Sequence, residues 1–213
     1  MAVKPISQLT NAQPTSGTEF IPIVQGGTTL KLTTSSFVGG VDNIASGVNS
    51  TIGGGCCNTA IGCRSTIGGG QSNFTGIAGV PFFGESSTIG GGQSNTVQGN
   101  NSTVGGGCCN TAVASYTFVG GGCCNCAFGQ RTTILGGSQN TTCGVCSSIL
   151  GGVSNTVRWC DINSFIAGSN ITSVSSNMLH AQRLFLSAGA LPTADPGVEG
   201  VVWNDSGTLK ISQ

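Results

Sequence analysis

A fixed interval between asparagines constrains this chain more than any other feature. Asn43, Asn58, Asn73, Asn95, Asn110, Asn125, Asn140, Asn155 and Asn170 lie fifteen residues apart, except for twenty-two between Asn73 and Asn95. Other columns keep the same interval. Glycine stands three and four residues before each of the first eight asparagines, from Gly39 and Gly40 to Gly151 and Gly152. Six residues before lies an apolar column: Phe37, Ile52, Ile67, Ile89, Val104, Val119, Ile134 and Ile149. Seven before is mostly threonine or serine, and two after is small or β-branched, as in Ala60, Val97 and Ala112. One turn reads S-T-I-G-G-G-x-x-N-T-A-x-G-x-x, and a single turn carries seven extra residues.

Fifteen residues are too few for a pair of helices, and a glycine triplet would break any helix. They suit one turn of a β-solenoid with two short strands, whose alternate side chains point in and out. The expected fold is all-β: a parallel β-roll or β-solenoid of about nine turns over residues 36–170, with a loop insertion at 76–85. The isoleucine of S-T-I and the alanine of N-T-A face inward. The Gly-Gly pair and the asparagine fall at corners, where positive φ is cheap for glycine and tolerable for asparagine. Stacked asparagines would bond one another up the column. Nine turns spaced by about 4.8 Å would make a rod about 40 Å long. One isoleucine and one alanine or valine per turn enclose a thin core. Three glycine-lined rolls packed together would bury more apolar surface, so a homotrimer is expected.

The run from Asn49 to Gly62, N-S-T-I-G-G-G-C-C-N-T-A-I-G, begins again at Asn101. It resembles the head repeats of trimeric autotransporter adhesins across about residues 36–170. The resemblance implies a left-handed parallel β-roll trimer. The chain departs from those adhesins in showing no long coiled-coil stalk and no membrane anchor. Its start, Met1-Ala2-Val3-Lys4-Pro5, also lacks the apolar core of a signal peptide.

The two ends carry a second resemblance. Within residues 1–35, Gly17 to Leu32 reads as two strands joined at Gly26-Gly27, and looks like the start of many phage tail-fibre and appendage proteins. Within residues 171–213, a second hairpin with Asn204-Asp205-Ser206-Gly207 as its turn resembles the closing segment of phage structural proteins. Both hairpins suit caps that block further stacking. The resemblance adds attachment, with Phe20, Ile21, Ile23 and Trp203 as candidate contacts. Asn177 to Leu186 reads equally as a short helix or a strand.

Together these resemblances imply a non-enzymatic structural protein of a bacteriophage particle, made in the host cytoplasm and located in the virion. The leading form is a short trimeric tail fibre or spike. It would dock on tail, baseplate or capsid proteins and project its roll toward a host cell-surface receptor. A capsid decoration or head-fibre protein is the close alternative, and a bacterial surface adhesin a further one. An ice-binding solenoid belongs to another class. It would present T-x-T arrays, whereas S-T-I-G offers one outward threonine and Phe118 interrupts that column.

Charge excludes other classes. Only 7% of residues are charged, seven basic against seven acidic, so no charge-steered surface for nucleic acid is expected. No uncharged apolar run approaches the roughly 20 residues of a spanning helix, so membrane insertion is not expected either.

Eleven cysteines are an odd number, which cannot all pair within one chain. Cys123-x2-Cys126 and Cys143-x2-Cys146 have zinc-ribbon spacing, but the four fall in different columns of the repeat. The doublets Cys56-Cys57, Cys108-Cys109 and Cys123-Cys124 share one column, where buried, reduced thiols are expected and disulfides between rungs or subunits, formed in an oxidising medium, are the alternative. Within the roll, Asp42, Glu85 and Asp161 lie on separate turns, which gives no carboxylate pair for glycoside cleavage. His180 is the single histidine, and no Lys-Ser or Lys-Thr follows the glycine runs. No catalytic residue, cofactor or metal is therefore expected. Arg64 and Arg131 share a column and read as solvated. The insertion, with adjacent Phe82 and Phe83, is the candidate partner-binding loop.

Overall fold

The computed structural model describes residues 40–80 and 82–182 throughout, and strand residues 20–25, 28–33, 37–38, 202–205 and 208–211 outside them. The chain divides into two units, Met1–His180 and Ala181–Gln213. The first holds a parallel β-solenoid of about nine turns, and no helix occurs among the described residues.

Most turns contribute one two-residue strand to each of two sheets, of ten and eight strands, and the last two strands of the larger sheet have three residues and no counterpart in the smaller. Threonine and isoleucine form the larger sheet, in registers such as Thr51↔Thr66 with Ile52↔Ile67. The residues after asparagine form the smaller one, as in Thr111↔Cys126 with Ala112↔Ala127. A third ladder of single parallel bridges runs up the position two before each asparagine, from Val41 and Cys56 to Val153. Alternation then sorts the side chains. Ile52, Ile67, Ile89, Val104, Val119, Ile134 and Ile149 are wholly buried, facing Ala60, Val97, Ala112, Ala127 and Val157. Burying such a side chain contributes roughly 1.5–3 kcal/mol.

The interior also holds two polar columns. One is the asparagine column. Asn110 shows how it works: its Nδ2 donates to the carbonyls of Gly106 and Gly122, both at 2.9 Å, and to Asn95 Oδ1 at 3.2 Å. Its Oδ1 accepts the Asn125 N–H at 3.1 Å. The same pattern repeats from Asn58 to Asn155. The other is the serine or threonine before each Thr-Ile strand, buried at Ser65, Ser102, Thr132, Ser147 and Ser164.

The corners differ from expectation in which residue takes the left-handed backbone. The second glycine of each pair takes positive φ as expected, as at Gly55 (φ 85) and Gly107 (φ 85), but the ladder asparagines from Asn43 to Asn155 do not; the residue just before each does, as in Cys57 (φ 59), Ser94 (φ 55) and Gln139 (φ 58). A second left-handed site lies six after, as in Arg64 (φ 56) and Tyr116 (φ 62). The reversal has a hydrogen-bond purpose. Most N–H groups donate to the following turn, for example Thr59 to Asn73 O at 2.8 Å. Those at left-handed positions donate to the preceding turn, as Ser72 to Cys56 O at 3.0 Å and Arg64 to Val48 O at 2.7 Å.

Both ends of the repeat slip out of the fifteen-residue register. Phe37 pairs with Thr51 and Val38 with Ile52, so Val38, not Phe37, continues the isoleucine column. At the other end Asn170 is not a rung of the ladder. Ile166 registers with Ile149, two residues later than the interval requires, and the Ile171 N–H takes Asn155 Oδ1 at 3.0 Å. Asn170 occupies the left-handed site before it, φ 56, exposed, with its N–H on Val153 O at 2.7 Å. The solenoid continues past residue 170, since Leu179–Ala181 adds the last strand of the larger sheet. Of the two readings for Asn177 to Leu186 the strand holds at Leu179–Ala181, and residues 183–186 lie outside the described residues.

Phe20–Gln25 and Thr28–Thr33 form an antiparallel hairpin, as expected. In the second unit Val202–Asp205 pairs with Thr208–Ile211. Asn204 and Asp205 belong to its first strand, opposite Leu209 and Thr208, rather than to the turn.

Candidate functional site

Because each turn spends its inward side chains on stacking, whatever this unit binds must meet its outer columns. Three of them stand out.

The first is the outer face of the larger sheet. Residues at the threonine position and two further on point the same way out of the pleat. Over the first turns they are threonine and glycine: Thr51 and Gly53, Thr66 and Gly68, Thr88 and Gly90. Later the columns turn apolar. Phe118 (41% exposed), Leu135 (51%), Leu150 (45%), Phe165 (41%) and Leu179 (50%) all lie on this face. Leu135 and Leu150 occupy the glycine column itself. Residue-by-residue reading missed this face, although two leucines in a glycine column and Phe118 in a threonine column were the visible signal.

The second is the insertion. Gly76 N–H bonds Val97 O at 2.8 Å and Gly84 N–H bonds Gln98 O at 2.7 Å, so both keep their places in the rungs. The seven extra residues are therefore 77–83, inserted at the corner after the smaller sheet. Its base is pinned where Arg64 pairs with Glu85, and where the Glu85 N–H donates to Asn100 Oδ1 at 3.1 Å. Arg64 is thus engaged rather than simply solvated. Phe82 is 71% exposed and Phe83 46%. Phe82 also holds φ at 69, a region costly for a bulky side chain. Of the other candidate contacts, Ile21 registers with Leu32, Ile23 with Leu30 and Phe20 with Thr33. Trp203 registers with Lys210; the side chains of these four lie outside the described residues.

The third is an edge of cysteines. Sγ–Sγ separations are 3.0 Å for Cys56 and Cys57, and 3.3 Å for both Cys108–Cys109 and Cys123–Cys124. These thiols are not buried, contrary to expectation: Cys57, Cys109, Cys123 and Cys124 are exposed. The corner turns them outward, and only Cys143 is buried. The hydrogen bond that Cys108 shares with Cys109 raises the Cys108 thiol above its ordinary pKa, and that between Cys124 and Cys123 raises Cys124. The Asp42 carboxylate lies within 4.8 Å of the Cys56 and Cys57 sulfurs. Among the described residues, neither the zinc-ribbon set of Cys123, Cys126, Cys143 and Cys146 nor the doublets Cys108-Cys109 and Cys123-Cys124 bring three sulfurs within that distance of one another as they stand.

Asp161 and His180 have separate partners. Asp161 accepts from Arg158 Nε at 2.7 Å and from the Ser173 hydroxyl, and the Arg158 guanidinium first, then Ser173, hold its carboxyl down to about 2. His180 Nε2 lies 3.1 Å from Ser175 O. On the smaller sheet's side, Phe128 and Trp159 meet at a 6.2 Å ring separation.

These features define the chain as a β-solenoid repeat protein. It matches no protein-family model, and no curated protein aligns with it.

Proposed function

We propose that this chain is a structural, non-enzymatic component of a bacteriophage particle, a short trimeric tail fibre or spike. The single observation that carries the proposal is the apolar outer face at Phe118, Leu135, Leu150, Phe165 and Leu179. Large side chains left about half exposed along one sheet mark a contact surface. The glycine column beside them lets another backbone approach closely. A second and third copy seated there would cover the face and complete a core that one chain leaves thin. The exposed Phe82 and Phe83, held on a pinned loop, suit contact with a further protein of the particle or with a host receptor.

Light scattering of the purified chain tests the assembly. The expected mass is three times the 21.1 kDa chain, with or without reductant. Leu150→Lys, which places a charge on the face without touching the inward columns, should shift it toward the single chain. A wild-type monomer at micromolar concentration would remove the trimer. Peptides of the chain in purified virus particles are the matching test of location, and their absence would remove the virion assignment.

A further inference from the structure

Neighbouring residues of a strand point to opposite sides, yet the two thiols of each cysteine doublet meet. The left-handed backbone at the second residue, φ 56 at Cys109 and 57 at Cys124, swings its side chain round to join the first. Two such doublets lie on consecutive rungs. Cys108 and Cys123 are bridge partners, and the Cys124 N–H donates to Cys108 O at 2.9 Å. Four sulfurs thus form an outward quadrilateral, 3.3 Å along each rung and about one strand spacing, ~4.8 Å, across.

We propose that Cys108, Cys109, Cys123 and Cys124 form a four-thiolate site for a divalent d10 cation of the zinc and cadmium kind. Tetrahedral coordination at Zn–S of about 2.3 Å places the sulfurs about 3.8 Å apart. That value lies between the two sides of the quadrilateral, and rotation of one doublet about χ1 against the other gives the tetrahedron. Thiolates select such soft ions over magnesium or calcium, which prefer oxygen. Each ligating thiol gives its proton to water, so one cation displaces up to four protons and no electrons move. A cross-rung disulfide fits less well. It needs Cβ atoms about 3.8 Å apart, whereas the rungs are held at strand spacing by bonds such as Cys108 N to Gly122 O at 2.9 Å and Thr111 N to Asn125 O at 2.8 Å. The Cys56-Cys57 doublet has only Asp42 as a third donor, and its next rung carries Gln71 and Ser72. It serves as an internal control. Bound metal would clamp two rungs in the middle of the solenoid, independently of how chains assemble.

Cadmium alone, added to the reduced full-length protein, tests the site through the ultraviolet thiolate-to-metal charge-transfer band. One tight equivalent per chain is expected, with a rise in melting temperature. The band should vanish in Cys108→Ser/Cys123→Ser and persist in Cys56→Ser/Cys57→Ser. Serine already stands in these columns at Ser72, Ser94, Ser138 and Ser154, so the variants should fold. Circular dichroism checks this, and Cys109→Ser/Cys124→Ser gives a second reading at the other pair. Absence of the band at stoichiometric cadmium overturns the proposal. So does a band unchanged in both four-thiol variants, or one lost only with Cys56 and Cys57.

Discussion

The uniform turns from Asn58 to Asn155 and the final turn beyond them close the same corner with different chemistry. In the uniform turns a buried amide accepts from the next rung and donates to two carbonyls and to its neighbour. In the final turn Ile171 stands in its place, and Arg158, Asp161 and Ser173 tie the end together. The difference teaches what can repeat. An amide is donor and acceptor at once and neutral, so it stacks on itself indefinitely. A carboxylate column at one strand spacing would set like charges opposite one another, which is destabilising. An ion pair therefore suits an end and an amide suits a rung.

The comparison breaks most severely at glycine. Gly137 has φ 89, and a Cβ there would sit 2.1 Å from Gly152 O, whereas a Cβ at Gly136 meets nothing within 4 Å. Gly137→Ala should cost more than about 4 kcal/mol, and Gly136→Ala should stay within about 0.5 kcal/mol, read from urea midpoints. Next comes Asn110→Ala, which strips the Asn125 N–H and Gly106 O of their partners. A loss of about 3 kcal/mol is expected, and hydrogen exchange should rise on both flanking rungs.

Asp161→Asn should act more locally. Exchange should quicken within residues 158–181 while the amide ladder keeps its protection. The acid dependence gives an independent reading. Arg158, then Ser173, lower the folded-state pKa of Asp161 to about 2, below the unfolded value of about 3.9. Its contribution is complete above that unfolded value and is lost as pH falls through about 2. Asp161→Asn should remove that acid step from the stability of the final turn. The smallest effect is expected at Phe82→Ser. It deletes a 71% exposed ring and should leave the urea midpoint unchanged; a clear loss would mean that the loop folds back on the roll.

The all-β solenoid, its period and its two inward apolar columns were legible in the chain, because fifteen-residue recurrence and strand alternation leave their mark at every turn. The asparagine ladder was legible too, from Asn43 to Asn155. Asn170 misled because it keeps the numerical interval, while two extra residues between Asn155 and Ile166 and one fewer before Ile171 move the register. Phe37 misled for the same reason at the start. The exposed pair Phe82 and Phe83 was visible as a break in the pattern, but the apolar face was not. Its members are spread over sixty residues and share a side only once the turns stack.

The sequence alone therefore determined the turn length and the side of each strand that enters the core. Both are properties of a single turn, repeated. Only the tertiary structure decided which corner residues turn left-handed, where the ladder ends and which thiols meet. Those depend on hydrogen bonds between residues fourteen to twenty-two apart, such as Asn58 N to Asn43 Oδ1 and Asn95 N to Asn73 Oδ1. Such bonds accommodate an added or missing residue at a corner without disturbing the strands on either side.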